Sequence, residues 1–301
     1  MDNRFSKIKN YLQEKVDLIN QTIAQSIPHE NVPPILKEAM EYSLTAGGKR
    51  IRPILTLATY EAFGKDMKEI LSIAVNLEFL HTYSLIHDDL PAMDNDDYRR
   101  GKPTNHKIYG EALAILAGDA LLTHAFGNMA KSLGQLPNTT LTKGMQIVEE
   151  FAAYTGASGM VGGQVIDLKA EQNEATLDDL IYIHTHKTGD LILFSIRLGA
   201  LLADANEKQL AGLSDFGRKI GLAFQIQDDL LDIIGDSNKM GKRAGSDEIN
   251  HKVTYPFFKG INTSKEQVLK LTEEAKQSIA KIGIKTEFLY QLADYLIFRE
   301  I

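Results

Sequence analysis

The chain has 301 residues, 44% hydrophobic and 24% charged, a balance that suits a globular enzyme with a large core. It contains no cysteine, which excludes disulfides, thiolate nucleophiles and cysteine-ligated metals. The net charge of −7 argues against general nucleic-acid binding, though not against an anionic substrate held through metal.

The start, Met1-Asp2-Asn3-Arg4-Phe5, lacks the apolar segment of a signal peptide. Ile8, Leu12, Val16, Ile19 and Ile23 then step by three or four, the spacing of one buried helical stripe. Pro33-Pro34 ends that helix, a second runs over about 35–46, and Gly47-Gly48 stops it. Pro53 suits the first turn of the next helix. Helical periodicity continues over about 68–90, 110–132, 139–156, 177–203, 207–234 and 264–281, with a last helix at the end. No alternating apolar run is bounded by turn residues, so strands are expected to be rare or absent. The longest apolar stretch, Leu191 to Ala205, contains Arg197 and is too short to span a bilayer. With 8 prolines and no Pro/Ser-rich linker, the expectation is one all-α, cytoplasmic domain over 1–301, without membrane insertion.

Two charged loops, Met93 to His106 and Gly235 to Thr254, each follow an aspartate cluster at the end of an apolar helix. The first cluster is His87-Asp88-Asp89-Leu90-Pro91-Ala92-Met93-Asp94, the second Gln227-Asp228-Asp229-Leu230-Leu231-Asp232. On a helix, Asp228 and Asp232 lie within about 40° of each other, close enough to share a hard cation. Asp88 and Asp94 would sit about 120° apart on an ideal helix, so their convergence requires a distortion, for which Pro91 supplies a reason. Carboxylates near helix C-termini oppose the macrodipole, and those here follow apolar runs such as Tyr83-Ser84-Leu85-Ile86. They therefore call for a cation, and magnesium bridging to diphosphate fits.

Basic residues accompany them. Gly47-Gly48-Lys49-Arg50-Ile51-Arg52-Pro53 sets three cations at a turn, and Arg99-Arg100-Gly101 follows the first cluster with guanidinium groups suited to phosphate. Lys187 lies mid-helix in His184-Thr185-His186-Lys187-Thr188-Gly189. Arg50, Lys102 and Arg243 read as solvated surface charges. His184 and His186, two apart on a helix, make a poor metal pair. Asp119 reads as a buried structural aspartate.

Asp88-Asp89-xxxx-Asp94 with Arg99-Arg100, and Asp228-Asp229-xx-Asp232, resemble the two aspartate-rich motifs of trans-prenyl diphosphate synthases. Gly47-Gly48-Lys49-Arg50-xx-Pro53, Gly163-Gln164, Lys187-Thr188 and Gly245-Ser246-Asp247 match that family in the same order, over about Ala39 to Pro256. The gap in the first motif is similar to the bacterial short-chain, farnesyl-forming type. The resemblance implies a single bundle of about ten or more helices around a central cavity, and a homodimer. It implies three magnesium ions, with manganese able to substitute, held chiefly by Asp88, Asp94 and Asp228, with Asp89, Asp229 and Asp232 in support. Arg99, Lys187 and Lys252, with Lys242 nearby, would hold allylic dimethylallyl or geranyl diphosphate. Gly48, Lys49, Arg52, His81 and Arg100 would hold isopentenyl diphosphate, while Thr188 and Gln225 line the developing carbocation. Gln164 and Asp167 read either as orienting metal-bound water or as a buried polar pair.

Tyr83, five residues before Asp88 and about 7.5 Å deeper along a helix, is expected to limit the product to fifteen carbons. Ser84 is better aligned but too small to block a chain. Geranylgeranyl diphosphate synthase is the nearest rival, and a terpene cyclase or a non-catalytic subunit are the others. A cyclase has no need of the Lys49, Arg52 and His81 set, and a non-catalytic subunit usually has damaged aspartate clusters. The Arg299-Glu300-Ile301 end is less basic than in many relatives, which counts against a tail closing over isopentenyl diphosphate.

Overall fold

A computed structural model describes residues 6–28, 30–137, 139–172, 175–234 and 253–298. The helices in chain order are α1 (Ser6–Ser26), α2 (Pro34–Leu44), α3 (Ile51–Ala62), α4 (Leu71–Ala74), α5 (Asn76–Asp88), α6 (Asn105–Tyr109), α7 (Glu111–Gln135), α8 (Leu141–Thr155), α9 (Met160–Gln172), α10 (Leu177–Ile183), α11 (Asp190–Leu202), α12 (Glu207–Ile234), α13 (Tyr255–Lys259), α14 (Ile261–Ile279) and α15 (Glu287–Phe298). Among the described residues the protein is all-α apart from an antiparallel pair of two-residue strands, β1 (Tyr98–Arg99) and β2 (Lys102–Pro103). Arg100 and Gly101, with φ 53° and 76°, form the two-residue turn between them.

The chain forms two compact units. One comprises Lys9–Leu57 and Met67–Val148, the other Ala58–Asp66 and Glu149 onward together with the first eight residues. We call them the first-motif and second-motif units, after the aspartate cluster each carries.

In the first-motif unit α5 is central. Leu77, Phe79, Leu80 and Ile86 are buried, and α5 packs along α7. The same helix buries Glu78 at 2% exposure, an acid that needs a partner. That partner is Arg50, which corrects its reading as a surface charge. It is 3% exposed, and its guanidinium donates to Glu78 Oε1 at 2.8 Å, Asn20 Oδ1 at 2.9 Å and the Leu44 carbonyl at 2.6 Å. These bonds hold Arg50 at φ 50°, a left-handed conformation costly for a non-glycine residue. Lys102 is exposed as expected. Asp119 is the second correction: its side chain is 58% exposed on α7.

In the second-motif unit α12 packs on α11 and α14. Leu180, Ala223, Ile226, Leu230, Tyr255, Val268, Leu271 and Ile297 form one apolar cluster there. The helix expected over 177–203 is interrupted by a π-helical turn at His184–Gly189, between α10 and α11. α9 is a helix that the periodicity left unassigned.

Removing one partner of a buried, hydrogen-bonded ion pair strands the other charge. Glu78→Ala should therefore lower unfolding free energy by about 3–5 kcal/mol in denaturant titrations. A loss below about 1 kcal/mol, the scale of an exposed pair, would show that the network bears little load.

Candidate active site

The first aspartate cluster folds back on itself because its helix stops. α5 ends at Asp88, three residues before Pro91, and the chain folds back so that the Asp94 N–H donates to the Asp88 carbonyl at 2.9 Å. The distortion expected inside the helix is therefore a turn beyond it. Asp89 is turned inward, 3% exposed, and accepts from Arg99 Nε at 2.6 Å; Arg99 also reaches Asp96 at 3.4 Å. Burial raises the Asp89 pKa, and Arg99 opposes that shift.

Beside this cluster lies an excess of positive charge. The guanidinium of Arg100 lies over the Gly47-Gly48 turn and donates to the Gly47 carbonyl. A Cβ on Gly48 would come within 2.7 Å of it, so this position admits only glycine without displacing Arg100. Burial brings the Arg52 pKa down to about 10, and its Nε is buried without a hydrogen-bond partner. Desolvation, then Arg52, Arg100, Arg99 and Arg50, hold His81 well below the ordinary histidine range, so its ring is neutral. Lys49 is exposed on the same turn. The Arg100 pKa is likewise lowered by burial, with Glu78 opposing that shift, so Arg52 and Arg100 are desolvated cations that would gain from added counter-charge. On α5, Tyr83 is 6% exposed, while the hydroxyl of half-buried Ser84 donates back to the His81 carbonyl at 2.9 Å.

In the second-motif unit the π turn sets the geometry. It places Lys187 Nζ 2.6 Å from Asp167 Oδ2 on α9. The close approach of α9 depends on Gly163, where a Cβ would lie 2.2 Å from the Lys187 backbone nitrogen. On the α12 side, a Cβ on Gly221 would lie 3.0 Å from the Gly189 Cα. Asp229 Oδ2 accepts from His184 Nε2 at 2.9 Å and from the Tyr255 N–H at 2.7 Å, tying α12 to the π turn and to the start of α13. His186 bonds Asp190 at 2.8 Å, so the two histidines take separate partners, as their spacing implied. Asp228 and Asp232 lie one turn apart on α12, and Gln225 Nε2 approaches Asp228 at 3.4 Å. Both amide atoms of Gln164 are buried without a hydrogen-bond partner, as a group awaiting a hydrated ligand would be. Lys242, Arg243, Lys252, Gly245-Ser246-Asp247 and the Arg299-Glu300-Ile301 end lie outside the described residues.

Among the described residues no three histidine, aspartate or glutamate side chains converge as a metal cage. The donors still fit magnesium, which takes one or two carboxylates per ion and completes its shell with water and phosphate oxygens. Asp88 with Asp94, and Asp228 with Asp232, are oxygen-only pairs of that kind.

The family model for polyprenyl synthetase matches residues 33–292. The chain belongs to the polyprenyl synthetase family. Geranylgeranyl diphosphate synthase of Cyanophora paradoxa is 48% identical over 290 residues, covering 96% of this chain and 95% of that one. Farnesyl diphosphate synthase of Bacillus subtilis is 42% identical over 295 residues, covering 98% and 99%. The structure of an FPP/GFPP synthase from Zymomonas mobilis matches with a TM-score of 0.85 at 34% identity, covering 97% of this chain and 99% of that one. As a polyprenyl synthetase the protein is a prenyltransferase acting on prenyl diphosphates.

Two features of the site escape a reading of motifs. The π turn leaves no composition or breaker signal, because the stretch from Leu177 to Ala203 reads as one continuous apolar helix with no proline. The burial of Arg50 did leave a trace: Glu78 is a lone acid within the apolar run Val75 to Leu80.

Gly163→Ala would push the Lys187 backbone, which cannot yield as a flexible side chain can. Displacements of about 1 Å in such positions cost on the order of a hundredfold in rate, so turnover should fall by about that factor with helix content retained. Wild-type turnover in this variant would show that the α9 contact does not place Lys187.

Proposed function

We propose that the protein is a farnesyl diphosphate synthase. It joins isopentenyl diphosphate head-to-tail (1'-4) to dimethylallyl and then geranyl diphosphate, releasing diphosphate. The observation that carries the reaction class is the under-neutralised cluster of Arg52, Arg100 and His81 beside an aspartate pair. Lys49, Arg52, His81 and Arg100 hold isopentenyl diphosphate, with neutral His81 as a hydrogen-bond donor. Arg99, which the protein steadies with Asp89, and Lys187, which it steadies with Asp167, are each suited to an allylic diphosphate, as is Lys252. Asp88 with Asp94, and Asp228 with Asp232, would hold magnesium, with Asp89 and Asp229 acting through their protein partners. Bound magnesium supplies charge neutralisation for the departing diphosphate. The allylic carbon–oxygen bond breaks with its electron pair leaving on the diphosphate. Gln225 and Thr188 line the resulting cation, and the isopentenyl double bond attacks it. A proton then passes to the released diphosphate, so no protein base of high pKa is needed.

The chain-length assignment rests on Tyr83, bulky and 6% exposed, at the fifth position before Asp88. The 48% identity to a geranylgeranyl diphosphate synthase favours the longer product as the second reading. Incubation with isopentenyl and dimethylallyl diphosphates should give a fifteen-carbon product, and a twenty-carbon product would select the second reading. Asp88→Ala, Asp228→Ala and excess chelator should each lower turnover at least about a hundredfold. Near-normal turnover under any of these conditions would remove that aspartate, or the metal, from the site.

We further propose a homodimer formed through α7. Its length and composition would suffice to cross a membrane, yet it carries Glu111, Asp119 and Lys131 and exposes Ile115 and Leu116 at 42% and 55%. An apolar face interrupted by charges suits a second copy of the chain better than lipid. Leu116→Asp should halve the mass measured by sedimentation, and an unchanged mass would place the contact elsewhere.

A further inference from the structure

Tyr83 does not stand alone on α5. Four residues further on, the His87 ring meets it edge-on, with centroids 5.6 Å apart and planes at 86°. His87 is in turn fixed to α7, its Nε2 lying 3.1 Å from the Ile115 carbonyl oxygen. A carbonyl can only accept, so Nε2 carries the proton. The ring fills the space over Gly118, where a Cβ would lie 2.2 Å from Nε2 and 2.4 Å from Cδ2. Gly118 sits inside α7 with no left-handed backbone to explain it. Its lack of a side chain is what admits the imidazole. The Asp119 carboxylate is 3.8 Å from Nε2, beyond hydrogen-bond range, and largely exposed, so it does not hold the ring.

The Gly118 notch, His87 and Tyr83 therefore form one column from α7 to α5. We propose that His87, seated in the Gly118 notch, is a specificity-determining positioning residue that holds the Tyr83 ring where it stops chain growth at fifteen carbons. This rests on the reading of Tyr83 as the floor of the hydrocarbon pocket. An aromatic side chain on a helix has few rotamers, and the edge contact with His87 favours one of them. A contact of that kind shifts a rotamer population by roughly three- to tenfold, enough to change a product ratio. Without it the Tyr83 ring can swing into the vacated notch and deepen the pocket.

The test measures product lengths from isopentenyl and dimethylallyl diphosphates for Tyr83→Ala, His87→Ala, His87→Phe and Gly118→Ala. Circular dichroism checks folding, and the allylic Michaelis constant is measured alongside. Tyr83→Ala should move product to twenty carbons or more. His87→Ala and Gly118→Ala should raise the twenty-to-fifteen ratio about three- to tenfold, with the allylic constant changed less than about twofold. His87→Phe, which restores a ring beneath Tyr83, should return the ratio toward the parent value. If Tyr83→Ala lengthens the product and His87→Ala does not, the role of His87 is overturned and that of Tyr83 stands. If Tyr83→Ala still stops at fifteen carbons, the floor itself is misassigned. Lower turnover in His87→Ala at an unchanged ratio would mean that His87 acts only on neighbouring Asp88, which also overturns the proposal. Should His87→Ala fail to fold, the Gly118→Ala and His87→Phe pair decides by the same ratio.

Discussion

The buried ion pair between Arg50 and Glu78 is the fixed point on which the chemistry of the first-motif unit depends. Two charges removed from water are tolerated only when their remaining hydrogen bonds are met. Asn20 and the Leu44 carbonyl meet those of Arg50. The pair thereby nails the turn at residues 47–50 to the middle of α5. Lys49 and Arg52 flank that nail, and Arg100 folds over the turn from the β1–β2 hairpin. The fold thus brings buried cations together, and desolvation, with the neighbouring arginines, lowers the pKa values of Arg52 and His81.

The second-motif unit reaches a comparable end by backbone geometry. A π turn opens the α10–α11 helix at the residues that include Lys187 and Thr188. Such turns are uncommon and cluster at functional positions, since they redirect side chains at some cost in helix regularity. Here the cost is offset by close packing at Gly163 and Gly221 and by Asp229, which joins three elements with one carboxylate oxygen. Lys187 is held by Asp167 in the same way that Arg99 is held by Asp89. In both units an acid steadies a cation beside an aspartate cluster or the π turn.

Both aspartate clusters lie near helix C-termini, where the macrodipole disfavours negative charge. The structure divides that burden. One aspartate of each cluster, Asp89 or Asp229, is hydrogen-bonded inside the protein, by Arg99 or by His184 and the Tyr255 N–H. The others are set in pairs suited to a divalent cation, by the turn that returns Asp94 to Asp88 and by the one-turn spacing of Asp228 and Asp232. That arrangement gives adjacent, chemically identical residues different tasks.

The sequence alone determined the all-α fold, most helix positions and the two aspartate motifs, because these are encoded in local spacing: apolar residues every three or four, and carboxylates one turn apart. It could not decide which aspartate of each cluster turns inward, because Asp88 and Asp89 are equivalent until Arg99 is placed beside one of them. It missed the burial of Arg50 and the exposure of Asp119, since a side chain's surroundings come from other helices, and only the trace of Glu78 pointed to the first. It read Tyr83 as bulk at a given depth, but not the His87 ring seated against it, because the Gly118 notch that holds that ring lies on α7, distant in sequence. Local periodicity fixes what each helix is; the pairing of charges and the fit of rings depend on which helices meet, and only tertiary structure supplies that.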